Sequence, residues 1–232
     1  MAIDLEKIRL EQSDFARNTS TRVPICFMID ASTSMKQQGR MRMVNEGIRQ
    51  FIQDMKTDPY AMSSLELCIV TFGGQARVML PFTEIGNVQF TDIRPNGDTP
   101  LGAATEMVID CVEERLALYD NTGITNYNPW IIIFSDGLAT DSLFGGTSYK
   151  KGARKLCRYQ EENNWRVMAI ALGDEPNSLA DFTPKKRVYG LKDVKISDFF
   201  TFISRSVSNY SKSRPDVANF STEEMEFEGA LI

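Results

Sequence analysis

Apolar runs of strand length alternate with amphipathic segments along most of this chain. Four runs consist mainly of apolar residues: 23–29, 65–72, 130–134 and 167–172. Three segments between them repeat apolar side chains at helical spacing: 42–55, 102–119 and 149–163. Strands that are apolar on both faces belong to parallel sheets that helices cover on both sides. The sequence therefore predicts an α/β fold with a doubly wound, mostly parallel sheet.

Two adjacent glycines, Gly73 and Gly74, separate the second apolar run from a further strand-like run at 76–82. Because both glycines tolerate positive φ, the pair predicts a tight hairpin and one antiparallel edge strand. We also expect a short strand at 187–189 and a closing helix at 196–207. Together these elements make a six-stranded, Rossmann-like sheet with helices on both faces.

Composition divides the chain of 232 residues into three parts. Residues 1–21 form a polar N-terminal segment, 22–210 carry the strand and helix pattern of one domain, and 211–232 form an acidic C-terminal tail. Lys plus Arg number 26 against 31 Asp plus Glu, a formal charge of −5. A chain of this charge is a poor candidate for binding the phosphate backbone, so we expect no nucleic-acid partner.

Several residue types are scarce or absent. The chain has no histidine, which excludes Ser-His-Asp triads and histidine-ligated zinc. Its four cysteines stand far apart in apolar segments, which favours buried free thiols over disulfides. No stretch approaches 18 uncharged apolar residues, and the N-terminus has no signal-peptide pattern. These features predict a cytoplasmic protein without a membrane segment.

Hard oxygen donors occur in three loops at expected strand ends or helix starts: Asp30, Ser32 and Ser34 in the first, Thr99 in the second, and Asp136 in the third. Ligands of doubly wound sheets bind beyond the carboxyl ends of the strands, where the strand order reverses. In an extended turn, the three side chains of the first loop would face one side, and the other two loops would close the site. Carboxylate and hydroxyl oxygens select Mg²⁺, with Mn²⁺ or Ca²⁺ as substitutes.

Each of these strings also has an ordinary explanation as turn or helix-cap chemistry. Their joint occurrence, each at a strand end or a helix start, favours a metal site. We expect a further set of loop residues to form a rim that tunes partner choice, with plain turn formation as the alternative: Asp98, Gly137, Asp141 and Asp174.

The segment 29–35, Ile-Asp-Ala-Ser-Thr-Ser-Met, resembles the metal-ion-dependent adhesion site of von Willebrand factor A (vWA) domains, and Thr99 and Asp136 match that family's distal Thr and Asp. Within that superfamily, the phrases VPICFMIDASTSM, IVTFGGQARV, GDTPLGAA and IFSDGLATD resemble bacterial TerY-like, tellurium-resistance proteins. Two departures stand out. Asp98 occupies a position where glycine is commoner in the family, and the Cys-rich C-terminal module of some TerY-like chains is missing.

The resemblance implies a vWA fold with strand order 3-2-1-4-5-6. It implies Asp30, Ser32 and Ser34 as metal ligands, with Thr99 and Asp136 binding directly or through water. An Asp or Glu of another protein would complete the metal's coordination. Because family members are often encoded near protein kinases and phosphatases in stress or phage-defence clusters, it also implies a partner of that kind.

Two alternatives remain open from the sequence. Asp30 follows a first strand, as nucleophilic aspartates do in some phosphatases, so a metal-dependent phosphohydrolase or phosphotransferase is the rival to a non-enzymatic binding module. In the other alternative, an acidic side chain of the tail reaches the ion and regulates the site: Glu223, Glu224, Glu226 or Glu228.

Overall fold

The computed structural model describes residues 18–136, 139–142, 146–173, 177–184, 188–190 and 196–212. Within these residues a six-stranded sheet has the order β3-β2-β1-β4-β5-β6. Its strands are β1 Val23–Asp30, β2 Leu65–Gly73, β3 Gln75–Glu84, β4 Trp130–Ser135, β5 Arg166–Ala171 and β6 Val188–Gly190. All neighbours pair in parallel except β2 and β3. The predicted fold class, the antiparallel edge strand and the strand order implied by the resemblance are confirmed.

Helices connect the strands and cover both faces of the sheet. Their bounds are α1 Arg40–Thr57, α2 Pro59–Ser64, α3 Leu101–Thr122, α4 Thr147–Glu162, α5 Asn177–Ala180 and α6 Ile196–Lys212. Short 3-10 segments lie at Thr33–Gly39, Ile85–Asn87 and Thr140–Ser142. No helix in the described part of the chain combines the length and the apolar character that crossing a membrane requires.

Successive side chains of β1 lie alternately in two separate cores, one on each face of the sheet. Phe27 lies in the core beneath α1 and α6, whereas Cys26 and Met28 lie in the core beneath α3 and α4. Helices α1 and α6 approach closely because Gly47 has no side chain: a Cβ there would stand 2.1 Å from the Phe200 ring. Burial on both faces explains why the strands read as continuous apolar runs.

The turn between β2 and β3 differs from the prediction in one respect. Gly74 has a positive φ of 71°, but Gly73 is the last residue of β2 and is not among the positive-φ residues. Position 73 requires glycine because there is no room for a side chain: a Cβ there would lie 2.2 Å from the carbonyl oxygen of Ala31. Close approach of two chain segments, rather than turn conformation, selects glycine at this position.

Helix α2 is not among the elements predicted from the sequence, although its signal is present. The Asp58 carboxylate accepts hydrogen bonds from the N–H groups of Tyr60 at 2.8 Å and Ala61 at 3.2 Å, and Pro59 occupies the first helical turn. An Asp cap followed by proline is a typical helix start. The four cysteines are free thiols, as predicted, but only Cys26 and Cys68 are buried, whereas Cys111 and Cys157 are half-buried. Most of the predicted N-terminal segment and acidic tail lies outside the described residues.

Candidate metal centre

The order of the sheet reverses between β1 and β4, which are paired in parallel at its centre. Asp30 is the last residue of β1, and Asp136 directly follows Ser135, the last residue of β4. Because parallel strands end at the same edge of a sheet, the two predicted carboxylate ligands lie at one edge, at the switch point. The charge of Asp136 acts on the other carboxylate, because it raises the pKa of Asp30.

Asp30 is fully buried and held at both carboxylate oxygens. Its Oδ1 accepts a hydrogen bond from the backbone N–H of Ser32 at 2.8 Å, and its Oδ2 accepts one from the Ser135 hydroxyl at 2.6 Å. The pKa of Asp30 is raised to about 6, mainly because the carboxyl is buried. The charge of Asp136 adds to the rise, and the hydrogen bonds from Ser135 and Ser32 oppose it. Desolvation thus dominates at this carboxylate.

The hydroxyls of Ser32 and Ser34 lie side by side, with their oxygens 2.9 Å apart. The backbone that achieves this is not the extended turn that we predicted, because a 3-10 segment begins at Thr33. Ser32 itself is extended, with ψ of 166°, and the chain then coils tightly. The two predicted hydroxyl ligands are therefore brought together, but by a helical turn after an extended residue.

Asp136 is paired with a cation that the sequence analysis missed. Arg40 Nη1 lies 3.6 Å from Asp136 Oδ2, and both side chains are buried. The second oxygen, Asp136 Oδ1, is also buried and has no hydrogen-bond partner within the described residues. A buried carboxylate oxygen without a partner is costly, and a cation at this position would compensate it.

The loop that carries Thr99 is joined to the first loop through the backbone. Thr33 donates its N–H to the carbonyl of Gly97 at 2.9 Å, and Asn96 donates to the carbonyl of Ala31 at 2.7 Å. Thr99 is buried and pairs with Thr140, which accepts from the Thr99 N–H through Oγ1 at 3.0 Å. The loop of Thr99 is therefore adjacent to the loops that carry the other four predicted ligands. Within the described residues, no hydrogen bond joins the Thr99 hydroxyl to any of those four side chains.

The predicted rim residues have different surroundings. Asp98 is exposed, and its carbonyl accepts from the Gly74 N–H at 2.8 Å. Asp141 accepts from the Gly102 N–H through Oδ2 at 2.7 Å, so it caps the first turn of α3, whose own cap residue Pro100 makes no side-chain bond. Gly137 and Asp174 lie outside the described residues.

The donor set fits a hard divalent cation. Among the residues that the structure describes, no group of three acidic or thiol side chains is close enough to hold an ion. The predicted donors are instead two carboxylates and three hydroxyls, and one oxygen of this set, Asp136 Oδ1, is buried without a partner among the described residues. Such oxygen ligands suit Mg²⁺ better than a thiophilic metal.

Comparison with known proteins agrees with this fold. Residues 25–138 match the von Willebrand factor type A domain family. The matched residues, just under half of the chain, are therefore similar to a vWA domain and lie on an α/β Rossmann-like fold. The match spans β1 to the start of the loop after β4, and so includes all five predicted ligands. A search of curated protein sequences gives no match.

Solved structures share the fold at low sequence identity. A von Willebrand factor type A protein from Catenulispora acidiphila superposes with a TM-score of 0.56 at 15% identity, covering 82% of this chain and 43% of that one. The ArnB paralog VWA2 from Sulfolobus acidocaldarius gives 0.52 at 20%, covering 80% and 45%. The PilB minor pilin from Streptococcus sanguinis gives 0.56 at 10%, covering 82% and 62%. This chain thus spans less than two thirds of the length of each.

Proposed function

We propose that this chain is a metal-ion-dependent protein-binding module. Mg²⁺, or Mn²⁺ or Ca²⁺ in its place, would be held by five residues: Asp30, Ser32, Ser34, Thr99 and Asp136. The observation that carries the proposal is the partnerless buried oxygen of Asp136 at the switch point of a vWA fold, beside a second buried carboxylate. vWA domains are commonly metal-dependent interaction modules, which agrees with this chemistry.

The charge of the donor set supports capture of an outside acid. Two carboxylates supply a formal charge of −2, and hydroxyls add none. When bound, the ion would supply an electrophilic centre that accepts one more anionic oxygen, such as the Asp or Glu of another protein. Ser135 and the Ser32 N–H hold the Asp30 carboxylate in one orientation, and Arg40 neutralises part of the Asp136 charge.

The surroundings of Asp30 favour a ligand role over a nucleophilic one. The hydrogen bonds from Ser32 and Ser135 fix the orientation of its carboxylate, as a ligand requires, and the sequence contains no histidine to serve as a base for phosphoryl chemistry. The rival phosphohydrolase has no specific observation in its favour. A phosphatase assay with Mg²⁺ tests it directly, because turnover that Asp30→Asn abolishes would support the rival.

The sequence phrases shared with TerY-like proteins extend the proposal to a pathway. We propose a cytoplasmic role in a bacterial stress or defence system, with a kinase or phosphatase of the same gene cluster supplying the acidic residue. The neighbouring genes test this part: a cluster without such enzymes and without stress functions would remove its support, but leave the metal site in place.

Mg²⁺ titration of the full chain tests the site. We expect saturable stabilisation against thermal unfolding in the wild type, about 3 kcal/mol at a hundredfold excess over the dissociation constant. Asp30→Ala should abolish the effect, and Ser34→Ala, at a half-buried hydroxyl that folding tolerates better, should weaken it. Ser206→Ala in α6 is the control. A titration that Asp30→Ala and Ser34→Ala both leave unchanged would refute the proposal.

A further inference from the structure

A groove of about 400 Å³ lies beside the predicted metal site. One wall begins at Met35, the residue after the predicted ligand Ser34, and continues into α1. The other wall is formed by 92–95, a segment that leads within four residues to Thr99. Both walls of the groove therefore continue directly into the loops that carry predicted metal ligands.

The rim of the groove is strongly basic, although the whole chain is acidic. Its charged residues are four cations and one carboxylate: Lys36, Arg42, Arg49, Arg94 and Asp92. The net charge of these five residues is +3, whereas the net charge of the whole chain is −5. A local reversal of sign next to the site creates a positive potential that attracts acidic ligands.

Little of this basic charge is neutralised within the fold. Arg49 pairs with Asp92, but Lys36 and Arg94 contact no acidic side chain among the described residues. Arg42 Nε lies 3.9 Å from Glu46 Oε1, and the exposed fractions of the two side chains are 79% and 57%. Exposed ion pairs of this kind contribute little, so Arg42 is available to another anion.

The groove is built on a preformed scaffold. Asn45 is buried in α1, and its side chain donates to the Ile93 carbonyl at 3.0 Å and accepts from the Ile93 N–H at 2.9 Å. This double hydrogen bond joins the two walls. Met41 and Ile93 are both buried and line the groove, so a basic rim surrounds an apolar floor.

We infer that this groove binds the acidic residues that flank the carboxylate captured at the metal site, so that the partner segment is an acidic peptide. The inference rests on the proposed function for the metal-binding carboxylate, and adds the chemistry of its neighbours. Arg42 and Arg49 are two helical turns apart, about 10 Å along α1. An extended peptide covers that distance in about three residues, so the recognised segment continues for about three acidic residues.

Two synthetic peptides test the inference on the full-length protein. One carries a single Asp among Gly and Ser, and the other adds three Glu residues beside that Asp. We expect Mg²⁺-dependent binding of both by fluorescence anisotropy, with the Glu-containing peptide about tenfold tighter at low salt. This difference in affinity between the two peptides should decrease as salt is added.

Reversing the charge of two groove residues tests whether the groove causes the tighter binding of the Glu-containing peptide. The double change Arg42→Glu and Arg94→Glu should erase the preference for the Glu-containing peptide and weaken binding of the single-Asp peptide much less. Arg158→Glu is the matched control: Arg158 also faces a glutamate four residues on, Glu162 at 3.8 Å, and is largely exposed. It lies on α4, away from the groove.

The outcomes separate the groove from the metal site. Equal affinity for the two peptides, with Mg²⁺ dependence retained, overturns the groove and leaves the proposed function intact. Tighter binding of the acidic peptide that ignores Mg²⁺ but is lost on charge reversal supports the groove and overturns the metal-dependent function. If the peptides bind only after residues 213–232 are deleted, the inference of an outside partner is overturned, and the groove is assigned to the chain's own acidic tail. If no variant binds either peptide, both the groove inference and the proposed function are overturned.

Discussion

Arg40 Nη1 lies 3.6 Å from Asp136 Oδ2, and the two side chains are only 11% and 4% exposed. Arg40 is the first residue of α1, and Asp136 directly follows β4, so the pair links a helix start to the central strand end. The guanidinium compensates one side of a carboxylate whose other oxygen is buried without a partner in the described chain. A protein cation and a bound ion would therefore share this carboxylate.

Replacing Arg40 tests that sharing. We expect Arg40→Gln to lower the free energy of unfolding without metal by about 3 kcal/mol, because it leaves a buried carboxylate uncompensated. We also expect Mg²⁺ to bind about tenfold more tightly, since a nearby positive charge is removed. Calorimetric titration and thermal unfolding with and without Mg²⁺ measure both effects, with Arg158→Gln as the control. Weaker Mg²⁺ binding by Arg40→Gln would contradict this interpretation.

Ser135 holds the buried Asp30 carboxylate. We expect Ser135→Ala to reduce the free energy of unfolding by about 1–3 kcal/mol, because the Asp30 Oδ2 loses its donor in a buried position. Urea unfolding measures the change, and Ser206→Ala, at a half-buried serine of α6, should have a small effect. If the two substitutions cost the same, the Ser135 hydroxyl does not stabilise Asp30.

Gly73 is required for the close approach of the first and second loops. A Cβ at Gly73 would stand 2.2 Å from the Ala31 carbonyl oxygen and 2.6 Å from that of Asn96. We expect Gly73→Ala to destabilise the fold by about 1–3 kcal/mol through overpacking and to weaken Mg²⁺ binding by displacing the first loop.

Gly123 provides the comparison for this effect. It has a φ of 69°, and a Cβ there would meet nothing within 4 Å. Gly123→Ala should therefore cost about 1 kcal/mol from backbone strain alone and leave Mg²⁺ binding unchanged. An equal loss of Mg²⁺ affinity in both variants would show that general destabilisation, rather than loop displacement, is responsible.

Asp58 couples stability to pH. Burial raises the pKa of its carboxyl, but hydrogen bonds from Ser208, the N–H groups of Ala61 and Tyr60, and Lys212 outweigh burial and lower the pKa below its ordinary value. The ionised form therefore stabilises the fold above the unfolded-state pKa, and that contribution is lost as pH falls through the folded-state pKa.

We expect Asp58→Ala to lower the free energy of unfolding by about 1–2 kcal/mol at neutral pH, since α2 loses its cap and α6 loses a partner. The difference from the wild type should narrow below about pH 4. Urea unfolding over a pH series measures this, with the exposed Asp120→Ala as a control of small effect. A gap that stays constant or widens in acid would contradict the assigned role.

The strand ends were predictable because burial leaves a strong pattern. Strands covered on both faces must be apolar throughout, so the change to Asp30 and to Ser135-Asp136 marks where each strand leaves the core. Parallel pairing then brings those ends to one edge. The loops of Asp30, Ser32, Ser34 and Asp136 were located in this way. Ser135, however, was placed in the loop after the strand, whereas it is the last residue of β4, and its role as a hydroxyl donor to Asp30 was missed.

Contacts between distant segments were beyond the sequence pattern. Nothing local to Arg40 indicates a pair with Asp136, and Asp141, predicted as a rim residue, carries no local sign that it caps α3. The basic groove likewise combines 35–49 with 92–95, which the Asn45–Ile93 hydrogen bonds and the Arg49–Asp92 ion pair bring together.

The periodicity of apolar residues by itself determined the α/β fold, the succession of its strands and long helices along the chain, and the polar loops at the strand ends, because each depends on which short segments are buried. Tertiary structure alone decided which charges meet in those loops, which glycines are needed for close approach and where basic residues collect. Those features depend on distances between segments far apart in the chain, and hydrophobic patterning does not encode such distances.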